Sequence, residues 1–112
     1  MRPPIVLYSE GNADLFLKVE HAEEYMEPID LISGRYSIFD SDGMVLGWTL
    51  EKSWSGAEKI RLLDPEYPDW QIDRLREILF KFLEDIDRSA VANLRDMPLS
   101  ELVEICKRYA SR

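Results

Sequence analysis

Asp40 and Asp42, spaced one apart and followed by Gly43 in YSIFDSDGMVLGW (residues 36–48), are the residues whose types and spacing come nearest to a known chemistry. A calcium loop opened at Asp40 would put Asp42 at its third position and Glu51 at its twelfth. Its fifth position would then be Met44, which has no side-chain oxygen, and its sixth Val45, where the sharp turn requires glycine. An Asp-Gly dipeptide between two alternating apolar runs is instead a strong hairpin signal, because glycine enters positive φ without steric cost. Asp40, Asp42, Glu51 and Lys52 also evoke a metal-dependent nuclease. Glu51 and Lys52 are adjacent, however, and a regular strand sends adjacent side chains to opposite faces. Glu58-Lys59 fails in the same way.

The remaining reactive residues are few. His21 is the only histidine, and it has no neighbouring His or Cys in sequence with which to bind a metal. It reads as a surface histidine on an acidic helix. Cys106 shares its helical face with leucines and a valine, so it reads as core, since a reactive thiolate needs an electropositive, partly open setting. No glycine-rich phosphate loop, serine nucleophile elbow or paired-cysteine motif occurs. No catalytic residue, metal site or cofactor is therefore expected, and the chain does not read as an enzyme. Trp54 in a turn and Tyr67 before Pro68 are candidate partner anchors, because Trp and Tyr are enriched at binding hot spots. Trp70 reads as a lid over the core edge.

The elements that must position these residues follow from periodicity. Ile5 to Tyr8 and Leu15 to Leu17 read as short strands around the turn cluster Ser9-Glu10-Gly11-Asn12. Val19, Ala22, Met26 and Ile29 recur at spacings of three and four, which predicts one buried helical face ended by Pro28. Residues 36–40 and 44–50 alternate as a hairpin, and Ile60 and Leu62 mark a further strand after the turn Ser53-Trp54-Ser55-Gly56. Asp69 is a plausible N-cap for a helix over 70–88 whose face is Leu75, Ile78, Leu79, Phe82, Leu83 and Ile86. A last helix begins near Pro98, with Leu99, Leu102, Val103, Cys106, Tyr109 and Ala110 on its apolar face. Together these predict a single α+β domain over 1–112. It comprises a small antiparallel meander of three to five strands, a short N-terminal helix, and two C-terminal helices packed on one face.

Composition sets the boundaries. The 112 residues are 46% hydrophobic and 32% charged, a globular balance. No apolar run approaches the roughly 20 residues of a membrane span, and the four apolar residues after Pro4 are too few for a signal-peptide core. One cysteine forms no internal disulfide, which fits a reducing compartment, and a soluble cytoplasmic protein is expected. The net charge is −8, of which the first 56 residues hold −6. Nucleic acid and anionic lipid are poor partners for such a chain, and a basic protein is a better one.

That charge is densest at Glu20, Glu23, Glu24, Glu27 and Asp30, with only Lys18 and Arg35 as cations nearby in sequence. The same region, from EEYMEPID (23–30) to GRYSIFDSDG (34–43), resembles small bacterial proteins that include immunity proteins of polymorphic toxin systems. The resemblance covers about twenty residues of mostly structural punctuation. It implies a toxin-neutralising protein and carries over no catalytic residue. Two functions are expected to compete. One is an acidic binding protein that blocks a basic partner such as a toxin through these five carboxylates, with Trp54 or Tyr67 as anchors. The other is a structural or regulatory module acting as a homodimer through its sheet or helices.

Overall fold

The computed structural model describes residues 1–91 and 94–110. Along the chain run β1 (Ile5–Ser9), β2 (Asn12–Phe16), α1 (Val19–Tyr25), α2 (Pro28–Ile32), β3 (Ser37–Phe39), β4 (Gly47–Lys52) and β5 (Glu58–Leu63). The rest is helical: α3 (Ile72–Ile86), the short α4 (Arg88–Val91) and α5 (Leu99–Lys107). The class is α+β, as expected. The strands form two antiparallel pieces, a three-stranded sheet in the order β2-β1-β3 and the β4–β5 hairpin.

The unbroken apolar run Ile5-Val6-Leu7 is explained by burial of β1 on both faces. Val6 points to one side with its register partners Leu15 and Phe39. There it meets Leu75, Ile78, Leu79 and Leu83 of α3 and Leu102, Val103 and Cys106 of α5, the two C-terminal helices packed together on one face. Ile5 and Leu7 point to the other side, where Phe16, Ala22, Met26, Leu31, Ile38, Ile60 and Leu62 close a second core. The three-stranded sheet is thus the middle layer, between α3 and α5 below and α1, α2 and the hairpin above.

Several boundaries differ from the sequence expectation. Pro28 does stop the first helix, but it also opens another: Met26 and Glu27 are extended, and Pro28 takes the first position of α2. The direction change turns Ile29 out to 71% exposure, and Leu31 takes the inward position instead. The helix cap is Gln71 rather than Asp69, whose carbonyl accepts the Val45 N–H at 2.9 Å. Tyr109 lies half-exposed beyond the end of α5.

The Asp-Gly turn forms, but its hairpin is short. The Asp40 N–H bonds the Met44 carbonyl and the Leu46 N–H the Ile38 carbonyl, after which the chain leaves β3 and runs on as β4 to pair with β5. Asp40 is 2% exposed. Its Oδ1 accepts the N–H groups of Asp42 at 2.9 Å and Met44 at 3.0 Å, and its Oδ2 accepts that of Arg2 at 3.3 Å. The carboxylate is spent on organising the backbone. Gly43 has φ 90°, and a Cβ there would lie 3.0 Å from the Ile72 backbone. Glycine is needed for both conformation and close approach.

Candidate partner interface

Helix α1 and strand β5 enclose a groove of about 300 Å³. Glu20, Glu23 and Glu24 line one wall and Lys59, Ile60 and Arg61 the other. Position in the fold divides the five expected carboxylates into different kinds. Glu20 and Glu24 are exposed on α1. Glu23, one residue from Glu24, is turned inward with its side chain 10% exposed. Its Oε2 accepts the backbone N–H of Leu62 at 2.7 Å, and its Oε1 lies 3.7 Å from the Arg61 guanidinium. That bond satisfies a donor on the outer edge of β5, so Glu23 joins the helix to the hairpin.

Glu27 and Asp30 lie outside the groove. Glu27 stands exposed at the N-cap of α2, where its carbonyl, not its carboxylate, accepts helical N–H groups. Asp30 is partly covered and sits 3.7 Å from Arg35. To Lys18 and Arg35, the cations near α1 in sequence, the fold adds Lys59 and Arg61, which pairing brings beside the helix from some forty residues away. Arg61 donates its Nε–H to the Glu51 carboxylate at 3.0 Å, and that acceptor, with Glu23 and Glu20 nearby, holds the Arg61 charge more firmly than usual. Neither cation was identifiable from α1's own sequence; the alternation of Lys59 and Arg61 with Ile60 and Leu62 was the available signal.

Trp54 is fully exposed. It occupies the second position of a tight turn in which the Gly56 N–H bonds the Ser53 carbonyl and the Ser53 N–H bonds the Ala57 carbonyl, each at 2.9 Å. Gly56 at φ 86° supplies the left-handed residue that such a hairpin end requires. The groove-lining Glu58 follows this turn directly, while Trp54 itself does not line the groove. Tyr67, 82% exposed, follows the other end of β5, roughly 17 Å of strand away at about 3.3 Å per residue. The two aromatics are therefore not brought together. Trp70 is 55% exposed and bridges Met44, so it covers the core edge only in part.

His21 is half-buried rather than a surface residue, with its Nδ1 enclosed. Cys106 is wholly buried, and desolvation pushes its thiol up to about 12. Glu51 and Lys52 are exposed on β4 and form cross-strand pairs in register with Lys59 and Glu58. Among the described residues no three metal-ligating side chains converge, and no helix is long and apolar enough to cross a membrane. No family model matches the chain, and no curated protein or solved structure shows significant similarity to it.

Proposed function

We propose that this is a non-catalytic protein-binding module that docks a cationic protein against the α1 side of the hairpin, in the manner of a toxin-neutralising immunity protein. The observation that carries the reading is Trp54, an indole left bare at the tip of the hairpin whose β5 strand forms the groove with the exposed Glu20 and Glu24. An aromatic anchor has only two side-chain torsions to fix, so it loses little rotamer entropy for the contact area it gains on binding. Glu20 and Glu24 would steer a basic partner and disfavour acidic ones, while affinity comes from the few desolvated contacts around the indole. The net charge of −8 and the resemblance of residues 23–43 to immunity proteins support the same reading.

The test measures association with the product of the adjacent gene, as a function of salt. Trp54→Ala is expected to weaken binding by about 2 kcal/mol or more, chiefly through faster dissociation. The double variant Glu20→Lys, Glu24→Lys is expected to slow association and flatten its salt dependence. Unchanged rates and salt dependence in both folded variants would refute the proposal.

A further inference from the structure

We propose that the chain self-associates by pairing the outer edge of β4 with the same edge of a second copy, forming one four-stranded antiparallel sheet in the order β5-β4-β4-β5. The argument begins with which backbone groups point outward. Opposed residues of an antiparallel ladder alternate between hydrogen-bonded and non-hydrogen-bonded pairs. The Leu62 N–H bonds Glu23, so the Trp48–Leu62 pair is of the second kind. The Ser53 N–H bond to Ala57 independently gives the same phase, since it closes the pair next to Lys52–Glu58. Trp48, Leu50 and Lys52 therefore all aim their N–H and C=O groups away from β5.

The two edges of this hairpin are treated differently. The β5 edge lies against α1 and α2 and has Glu23 on its Leu62 N–H. The β4 edge bonds β3 only as far as Leu46, through its N–H to the Ile38 carbonyl at 2.9 Å. Beyond that point the described residues place no strand against β4 except β5. An open edge of this kind is a template for another strand.

Its side chains fit a copy of themselves. A two-fold axis through Leu50 sets Leu50 opposite Leu50 and Trp48 opposite Lys52 on one face, and Thr49 opposite Glu51 on the other. Trp48 is 37% exposed and Lys52 is exposed, which leaves each free for the other as a cation–aromatic pair. No like charges face one another in this register. The face that holds Trp48, Leu50 and Lys52 is the one that buries Ile60 and Leu62, so the apolar side of the hairpin continues across the axis.

Position 49 tests the register, because its side chain faces Arg61 within the chain and Glu51 of the second copy across the axis. The assay is sedimentation equilibrium of the full chain from about 1 μM to about 1 mM, with circular dichroism as the check on folding. The wild type is expected to show a concentration-dependent monomer–dimer equilibrium within this range. Thr49→Glu sets like charges opposite twice in the dimer while adding a partner for Arg61 in the monomer, and is expected to weaken dimerisation about 2- to 30-fold. Thr49→Lys is expected to tighten it by a similar factor. A chain that remains monomeric at 1 mM would overturn the proposal and leave the edge to a strand from another protein. A dimer that moves in the same direction with both variants, or with neither, would overturn it equally. Neither variant alters α1 or Trp54, so the outcome is separate from that of the partner-binding test.

Discussion

Glu23 offers the sharpest test of how this fold divides its charges. Replacing it by alanine removes the acceptor of a 2.7 Å bond from the Leu62 N–H and leaves that donor facing the emptied side of α1. A hydrogen bond to a charged group contributes about 1.5–3 kcal/mol. The Arg61 contact at 3.7 Å involves a half-exposed guanidinium already held by Glu51, so it adds at most about 0.5 kcal/mol. Glu23→Ala should therefore cost about 2–3 kcal/mol, a large part of the roughly 5–15 kcal/mol that holds a domain together. Glu23→Gln retains an amide oxygen for the Leu62 N–H and should lose only the charge component, about 1 kcal/mol. Equilibrium urea unfolding followed by tryptophan fluorescence and circular dichroism separates these values. The exposed neighbour Glu24→Ala serves as control and should change stability by less than about 0.5 kcal/mol. If Glu23→Ala behaves like that control, the carboxylate does not join α1 to β5 and the division drawn between the two glutamates fails. Charge reversal at Glu23 is, for the same reason, a poor probe of binding, because it would disturb the hairpin's seat before any partner arrived.

Leu79→Ala and Leu102→Ala, both at fully buried positions between α3 and α5, should each cost about 2–5 kcal/mol in the same urea assay. Melting curves with calcium and with chelator should coincide, because the Asp40 oxygens already bond backbone N–H groups; a calcium-dependent rise of several degrees would contradict this. With its folded-state pKa raised to about 12 from an ordinary 9.0, Cys106 contributes stability that is fully present below about pH 9 and is lost as pH rises toward 12. Comparing urea midpoints from pH 8 to 11, Cys106→Ala should remove a decline of up to about 1.4 kcal/mol per pH unit.

Local patterns in the sequence carried much of this architecture. The spacing of Leu75, Ile78, Leu79 and Leu83 and of Leu102, Val103 and Cys106 marks the faces that become buried, because helical periodicity and burial have the same geometric origin. Alternation through residues 36–50 identifies strands and a turn, but alternation records faces and not edges. It could not reveal that β3 bonds β1 while β4 departs for β5. The site suffers from the same limitation. Five carboxylates crowded within eleven residues look alike in sequence, and only the arrival of Leu62 and Arg61 makes Glu23 a structural bond while Glu20 and Glu24 stay in solvent. The exposure of Ile29 has a local cause that is equally hard to read. Proline can end one helix and begin the next, and the intervening extended residues reset the phase of every side chain that follows.

Burying both faces of β1 has a consequence for how such a chain can vary. Val6 belongs to one core, and Ile5 and Leu7 to the other, with a layer of hydrogen-bonded backbone between them. A volume change at Leu79 is absorbed by neighbours below that layer and one at Leu62 by neighbours above it, so losses from the two should add to within about 0.5 kcal/mol. Lineages could accordingly remodel the hairpin storey, where Trp54 and the β4 edge lie, without retuning the α3–α5 foundation. The residues least free to change would be the three consecutive apolar positions of β1, which between them anchor both storeys.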